Sequence, residues 1–393
     1  MSSAARLPDM PDDRYARTVD HLVALTDGRR RATTAMLRSV TDLVPRLVAW
    51  AYRLDRQPAF PVDEIALLRA AGALRAPLPV RHGGLGLGTE PEGAGALFTL
   101  LRLLGTGNLS VGRIIEGHVN ALRLICRYGE EAQIEAAAAD ALAGHLFAIW
   151  NTEAPPGVRL ATNGVLTGRK QHVSAAGYAT RPLITVDHAS RSRLLLVRLD
   201  PGERADPDAH GLHGMRATRS GAVDFDGYAP RAEDWIGAVG DYLREPAFSA
   251  GAWRTLTVLV GGIEALVDEL RSQLRARRRQ AAPHQAARIA QALIAQETAC
   301  LWAHKAARLA EGGTAPPKDV VAYVALARRA VEAAALEVVQ IVQRSLGFAA
   351  LAHGNRAELL MRDLATYLRQ PALDEALEEA AARFVTAPLP AQR

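Results

Sequence analysis

The sequence predicts an α+β protein whose helices and strands are segregated. Apolar residues recur at three- and four-residue spacing in the first and last parts of the chain. Between them, from residue 145 to about 236, short apolar or alternating runs are parted by Gly, Pro, Asn and Asp, the signal for strands and turns. Helices, then strands, then helices argue for separate layers and against an alternating α/β sheet. The expected domains are 1–144, helical; 145–236, a small β domain; and 237–393, helical again.

The helical pattern starts near Arg14. "VTDLVPRLVAWAYRL" and "VDEIALLRAAGAL" keep helical spacing, and Asp63 stands where an acidic first turn favours the helix dipole. "LPVRHGGLGLG" is too rich in glycine for a helix and reads as a loop folded tightly against a neighbour. Helices resume at "AGALFTLLRLLG", "IIEGHVNALRLICRYG" and "EEAQIEAAAADALAG". The strand signals are "LFAIWNTE", "VLTGRKQHVSAAG", "RPLITVDH", "RLLLVRLD" and "AVDFDGYAP". Beyond Asp241 three long helical patterns, the last two parted by "GGTAPPKD", have lengths that suit a four-helix bundle. A last stretch, "RDLATYLRQPALDE", runs into Pro371, which cannot continue a helix and disfavours helical geometry at Gln370.

Composition narrows the partners. With 393 residues, 49% hydrophobic and 23% charged, the chain can bury a substantial core. The net charge of +5 rests almost wholly on arginine, since Lys170, Lys305 and Lys318 are the only lysines, and 5% aromatic residues offer few stacking platforms. Nucleic acid is therefore not an expected partner. Cys126 and Cys300 sit in apolar helical stretches without metal-ligand spacing and read as buried thiols in a reducing compartment. The N-terminus, "MSSAARLPDMPDDRYAR", has no hydrophobic signal region, and no later stretch reads as a membrane span. A cytoplasmic protein without a membrane or metal partner is expected.

Several stretches between residues 60 and 371 carry a pattern in consistent order. They are "GALRAPLPVRHGGLGLG" with the helix "EGHVNALRLICRYG"; "LFAIWNTEAPPG"; "LTGRKQHVSAAGYAT"; "GLHGMRATRSGAVDFDGYAP"; and "VQRSLG" with "LLMRDLATY". Together they resemble the acyl-CoA dehydrogenase superfamily of flavoproteins. The resemblance implies an N-terminal helical domain, a β-barrel-like middle domain and a C-terminal four-helix bundle. It also implies FAD held noncovalently between the last two, with a second subunit completing the site in a homodimer or homotetramer. Thr152 would face the flavin ring, with Trp150 and Asn151 beside it. His172 stands where the family usually has a Trp, Ser174 where it has a Thr or Ser near N5, and Gly157 matches a turn glycine. Val158 takes the place of a common Ser. Arg278 and Gln285 match the residues toward the pyrophosphate and adenine, and Gln343 and Gly347 would approach from the neighbouring subunit, with Leu346 replacing one of two paired glycines. On the residues alone, Trp150 and Trp253 read more readily as core, while Thr152 and Ser174 also read as turn formers, His172 as a satisfied histidine, and Arg277 to Arg279 as a solvated helix end.

Dehydrogenation of a thioester needs a carboxylate base. The family's usual position for it, counted from Arg362 and Asp363, holds Pro371; its alternative position, before the arginine matched by Arg254, holds Trp253. Arg254 would then bind substrate. Glu264, Asp374, Glu375 and Glu245 are the remaining candidate bases. The leading expectation is an FAD-dependent oxidoreductase acting on a CH–CH bond of an acyl-CoA or similar thioester, with the usual catalytic Glu replaced and an electron acceptor as partner. The same fold also serves monooxygenases that receive reduced FMN or FAD from a flavin reductase and use it with O2. These need a hydroxyl or histidine donor, for which Ser174 and His172 are the candidates; their characteristic His is absent, with Arg369 and Gln370 standing near its place. A noncatalytic flavin-binding protein is the third alternative.

Overall fold

The computed structural model describes residues 26–152, 157–188, 191–369 and 373–391. Gln370, Pro371, part of the "NTEAPPG" turn and the N-terminal stretch read for a signal lie outside the described residues. Five helices come first: α1 (Asp27–Arg56), α2 (Val62–Ala70), α3 (Ala94–Gly107), α4 (Leu109–Tyr128) and α5 (Glu131–Leu142). α1 buries Met36, Leu37, Val40, Val44 and Leu47 as one helical stripe. α4 starts cleanly because the Asn108 side chain accepts from the Ser110 and Val111 backbone N–H groups. The glycine-rich loop before α3 is as tight as its composition predicts: a Cβ on Gly84 would lie 2.0 Å from the Leu78 carbonyl oxygen.

The strands follow: β1 (Phe147–Trp150), β2 (Arg159–Leu160), β3 (Leu166–Thr167), β4 (Arg169–Val173), β5 (Arg181–His188), β6 (Arg191–Leu196), β7 (Ala205–Asp206), β8 (Gly221–Asp224) and β9 (Trp235–Ile236). The described strands form two sheets. One runs β3-β2-β5-β6-β9, with β1 also parallel to β5; the other is β4-β8-β7. Strand alternation then assigns each face. Trp150, Ile184 and Leu195 meet Val173, Val223 and Phe225 between the sheets. Phe147, Leu183, Leu194 and Leu196 point the other way, onto Leu122, Ile125 and Ile134 of α4 and α5.

The C-terminal part holds α6 (Ala247–Ala250), α7 (Trp253–Ala276), α8 (Pro283–Gly312), α9 (Pro317–Leu346), α10 (Arg356–Tyr367) and α11 (Leu373–Phe384). α7 to α10 share one hydrophobic core with α1, α3 and α4. Glycines let α3 and α7 touch backbone to backbone. A Cβ on Gly105 would lie 2.1 Å from the Val258 carbonyl oxygen, and one on Gly261 would lie 2.1 Å from that of Arg102. One sequence reading needs correction: two segments, Ala247–Ala276 and Pro317–Leu351, are long and apolar enough to cross a membrane by length and composition. The first has 78% of its apolar window buried against other helices, since a helix surrounded by its own fold is apolar all round.

Candidate functional site

The site grows from the ends of β1 and β4. Trp150, the last residue of β1, which the sequence offers both as core and as a cofactor neighbour, is sent by alternation between the sheets and is only 1% exposed. Its indole N–H donates to the Ser174 carbonyl at 2.9 Å, tying the end of β4 to β1. Asn151 and Thr152 follow it out of the core and are exposed. The Thr152 carbonyl accepts from the Gln171 N–H at 2.9 Å, which joins the same two strands again. Gly157 lies buried at φ +78°, a left-handed turn, beside fully buried Val158.

β4 pairs with β8 but loses register between Lys170 and Val173. His172 sits in that bulge at φ +52° and is turned outward. It stacks on His210, with ring centroids 3.9 Å apart, and its backbone N–H donates to His210 Nε2 at 3.2 Å. Burial, then the His172 ring beside it, pulls His210 below the usual imidazole range. Because Nε2 accepts the His172 backbone N–H, the ring proton of His210 lies on Nδ1.

Two residues after His172, the Ser174 hydroxyl is 3.3 Å from Ser220 Oγ, which is 2.8 Å from Thr218 Oγ. Thr218 Oγ donates to the Met215 carbonyl at 2.7 Å. The turn carrying these groups is clamped to α10: Asp363 accepts the Met215 N–H at 2.6 Å, and Arg362 donates to the His213 carbonyl and pairs with Asp55 at 2.7 Å. Gly214 is needed there, because its Cβ would lie 2.3 Å from the Arg362 carbonyl oxygen. A cavity of about 580 Å³ adjoins Ser220, lined also by Pro58, Met215, Arg216, Arg219 and Glu358.

Toward the helices, the Asn151 amide donates to the Tyr242 hydroxyl at 2.6 Å. Burial pushes Tyr242 up to about 12. Behind it lies a buried charged network that sequence reasoning missed. Glu116 of α4 is bound by Arg113, Asn120 and Thr255. Arg254 bonds Asn120 and reaches Glu311 of α8 at 3.2 Å, and Glu311 also holds Arg123 at 3.0 Å and the Trp253 indole at 2.9 Å. Arg113 and Glu116, three apart on one helix face, were a visible pair signal; Glu311 was not, because its partners lie far away in sequence. Burial opposes the Arg113 charge, but Glu116 holds its guanidinium above the usual range. Arg254, expected at the substrate, is instead sealed in this network at 4% exposure, and burial lowers it to about 10.

The candidate bases disperse. Glu264 accepts twice from the Arg102 guanidinium, at 2.8 and 2.9 Å, pairing α7 with α3. Glu245 accepts from the Ser249 N–H at 3.1 Å and from its hydroxyl, holding its own turn. Asp374 and Glu375 face outward in the first turn of α11. Of the bundle residues, Arg278 is exposed at φ +55° in the turn after α7, and Gln343 and Gly347 are exposed at the end of α9. Gln285, expected near a cofactor, is 4% exposed, with its Nε2 donating to the Ser345 carbonyl at 3.2 Å. That bond and Arg277 to the Leu346 carbonyl bring all four to one end of the bundle. Burial raises the Cys126 and Cys300 thiols to about 12 and about 11, so neither is a thiolate near neutrality.

No protein-family profile matches the chain, and no curated protein sequence matches it. Solved structures do. KijD3, in complex with FMN and dTDP-3-amino-2,3,6-trideoxy-4-keto-3-methyl-D-glucose, is 23% identical over 93% of this chain and 96% of its own, with a TM-score of 0.76. Butyryl-CoA dehydrogenase from Megasphaera elsdenii is 17% identical over 92% and 99%, also at 0.76. FMN-bound TdsC from Paenibacillus sp. A11-2 is 18% identical over 90% and 98%, at 0.77. The chain has the acyl-CoA dehydrogenase fold.

Proposed function

We propose that this chain is a flavin-dependent monooxygenase that takes reduced FMN or FAD from a separate reductase and uses it with O2 on a small organic substrate. The observation that carries this reading is the contrast at the site. Hydroxyl, amide and imidazole groups converge at the ends of β1 and β4, while each carboxylate considered as a base is bound by cations and amides or turned to solvent. KijD3 and TdsC are seen with FMN, and TdsC is described as a dibenzothiophene monooxygenase, which supports the same reading.

The residues present fit a flavin. Asn151 and Thr152 offer polar groups at an exposed strand end, Ser174 offers a half-buried hydroxyl, and Trp150 beneath them fixes both strands. A flavin needs such fixed donors and acceptors along its polar edge and N5. Bound reduced flavin would supply the electrons that activate O2. Around it, Ser174 orients the ring edge, the dry floor of Trp150 and Val173 keeps water from that side, and the His172–His210 pair holds a proton at His210 Nδ1. Exposed Arg278, Gln343 and Gly347 would complete a neighbour's site, making the working unit a homodimer or homotetramer.

One observation favours the alternative, a dehydrogenase acting on a CH–CH bond of an acyl-CoA. Glu116 is a buried carboxylate whose charge reaches Tyr242 and, through it, Asn151. Anaerobic mixing of the flavin-loaded protein with short, medium and branched acyl-CoAs separates the two. The monooxygenase reading predicts an unchanged flavin band; bleaching by any of them would establish dehydrogenation, with Glu116 the first base to test.

A further inference from the structure

The hydroxyls of Thr218, Ser220 and Ser174, of which Ser220 lines the cavity, have one set of proton positions that satisfies all three contacts. Thr218 Oγ sits 2.7 Å from the Met215 carbonyl, which has no proton to give, so the Thr218 proton lies on that bond. The 2.8 Å contact between Thr218 and Ser220 must therefore use the Ser220 proton. With that proton engaged, the 3.3 Å contact between Ser220 and Ser174 must use the proton of Ser174. Thr218 is 1% exposed, so no solvent competes for its end of the chain. The Ser174 hydroxyl consequently points its proton inward and leaves lone pairs on its outer side.

We infer that Thr218 and Ser220 are positioning residues that make Ser174 a hydrogen-bond acceptor toward its ligand, and so select reduced over oxidised flavin. The inference rests on the reading that Ser174 faces flavin N5. Reduced flavin carries a proton on N5 and can donate to a lone pair, whereas oxidised flavin has a bare N5 that needs a donor. To serve oxidised flavin, Ser174 must turn its proton outward and give up its bond to Ser220. One hydrogen bond of that kind is worth about 1 kcal/mol, so the expected preference for reduced flavin is roughly fivefold in Kd.

The test is an anaerobic titration of the full-length, flavin-free chain with reduced and with oxidised FMN, repeated with FAD. Wild type binds the reduced form about fivefold more tightly. Ser220→Ala releases the Ser174 proton, and Thr218→Val lets the chain reverse, so both bring the ratio toward one. Thr218→Ser keeps the acceptor and keeps the wild-type ratio, which separates chain polarity from a general loss of structure. The midpoint potential of the bound flavin falls in the two disruptive variants and stays in Thr218→Ser. A wild-type ratio at or below one, or an unchanged ratio in Ser220→Ala, overturns the inference while leaving the flavin reading intact. If neither FMN nor FAD binds wild type in either redox state, the inference and the flavin reading both fall.

Discussion

His118 and Asp363 lie in different layers, and each binds one backbone amide that joins two domains. Fully buried His118 donates from Nε2 to the Leu74 carbonyl at 2.7 Å and accepts the Phe147 N–H at Nδ1, linking α4 to β1. Burial lowers it to about 4, so its contribution is complete above its unfolded value near 6.5 and is lost as pH falls through about 4. Asp363 behaves oppositely. Burial, against the Met215 amide and Arg362, raises it to about 7, so the preference for its neutral form is present below about 4 and is lost as pH rises through 7. Between pH 4 and 6.5 the two slopes oppose each other. Urea denaturation across that range should show stability rising more steeply with pH in Asp363→Asn, which keeps the acceptor without the titration, and less steeply in His118→Gln. Unchanged slopes in both would refute these assignments. At this scale the sequence was least legible. Trp150 and Gln285 have the right types for a cofactor contact, but strand alternation and helix packing turn them inward, and those depend on partners distant in the chain.

At the scale of elements, the strand and helix patterns were legible because burial repeats along each element. β5 and β6 send alternate residues to two packed faces and read as short apolar runs, and α1 shows its stripe. The β4 bulge was not legible: "KQHVS" carries no glycine to mark it, and the shift exists only against β8. The crossing of α3 and α7 was half legible, as glycines in helical patterns with no stated reason. Gly261→Ala places a methyl against the Arg102 carbonyl and should destabilise the protein by about 1–3 kcal/mol. Gly28→Ala, in α1 with nothing within 4 Å of its added carbon, should stabilise by about 0.5 kcal/mol. Denaturant midpoints for the two check the pair; equal shifts would mean that the close approach is not what matters at Gly261.

At the scale of the whole molecule, the order of helical, strand and helical layers was legible from the change in hydrophobic period, and it places the turn that carries His213 and Met215 against α10. The charged network beneath the site was not, since Arg254, Asn120, Glu116 and Glu311 come from three separated helices. The proposed assembly has its own test. If Arg278 and Gln343 serve a neighbour, Arg278→Ala weakens flavin binding by about tenfold. Mixing that variant with Ser174→Ala would then restore part of the tight binding, because one shared site in the mixed pair is intact. A monomer in sedimentation, or no restoration, would count against a shared site. The central claim, use of reduced flavin with O2, is tested most directly by stopped-flow mixing of the protein carrying reduced FMN with oxygenated buffer. The account predicts that the oxidised flavin band returns in two phases, the second slower than for free flavin; a single phase indistinguishable from free FMN, in a protein whose flavin is bleached by an acyl-CoA, would contradict it.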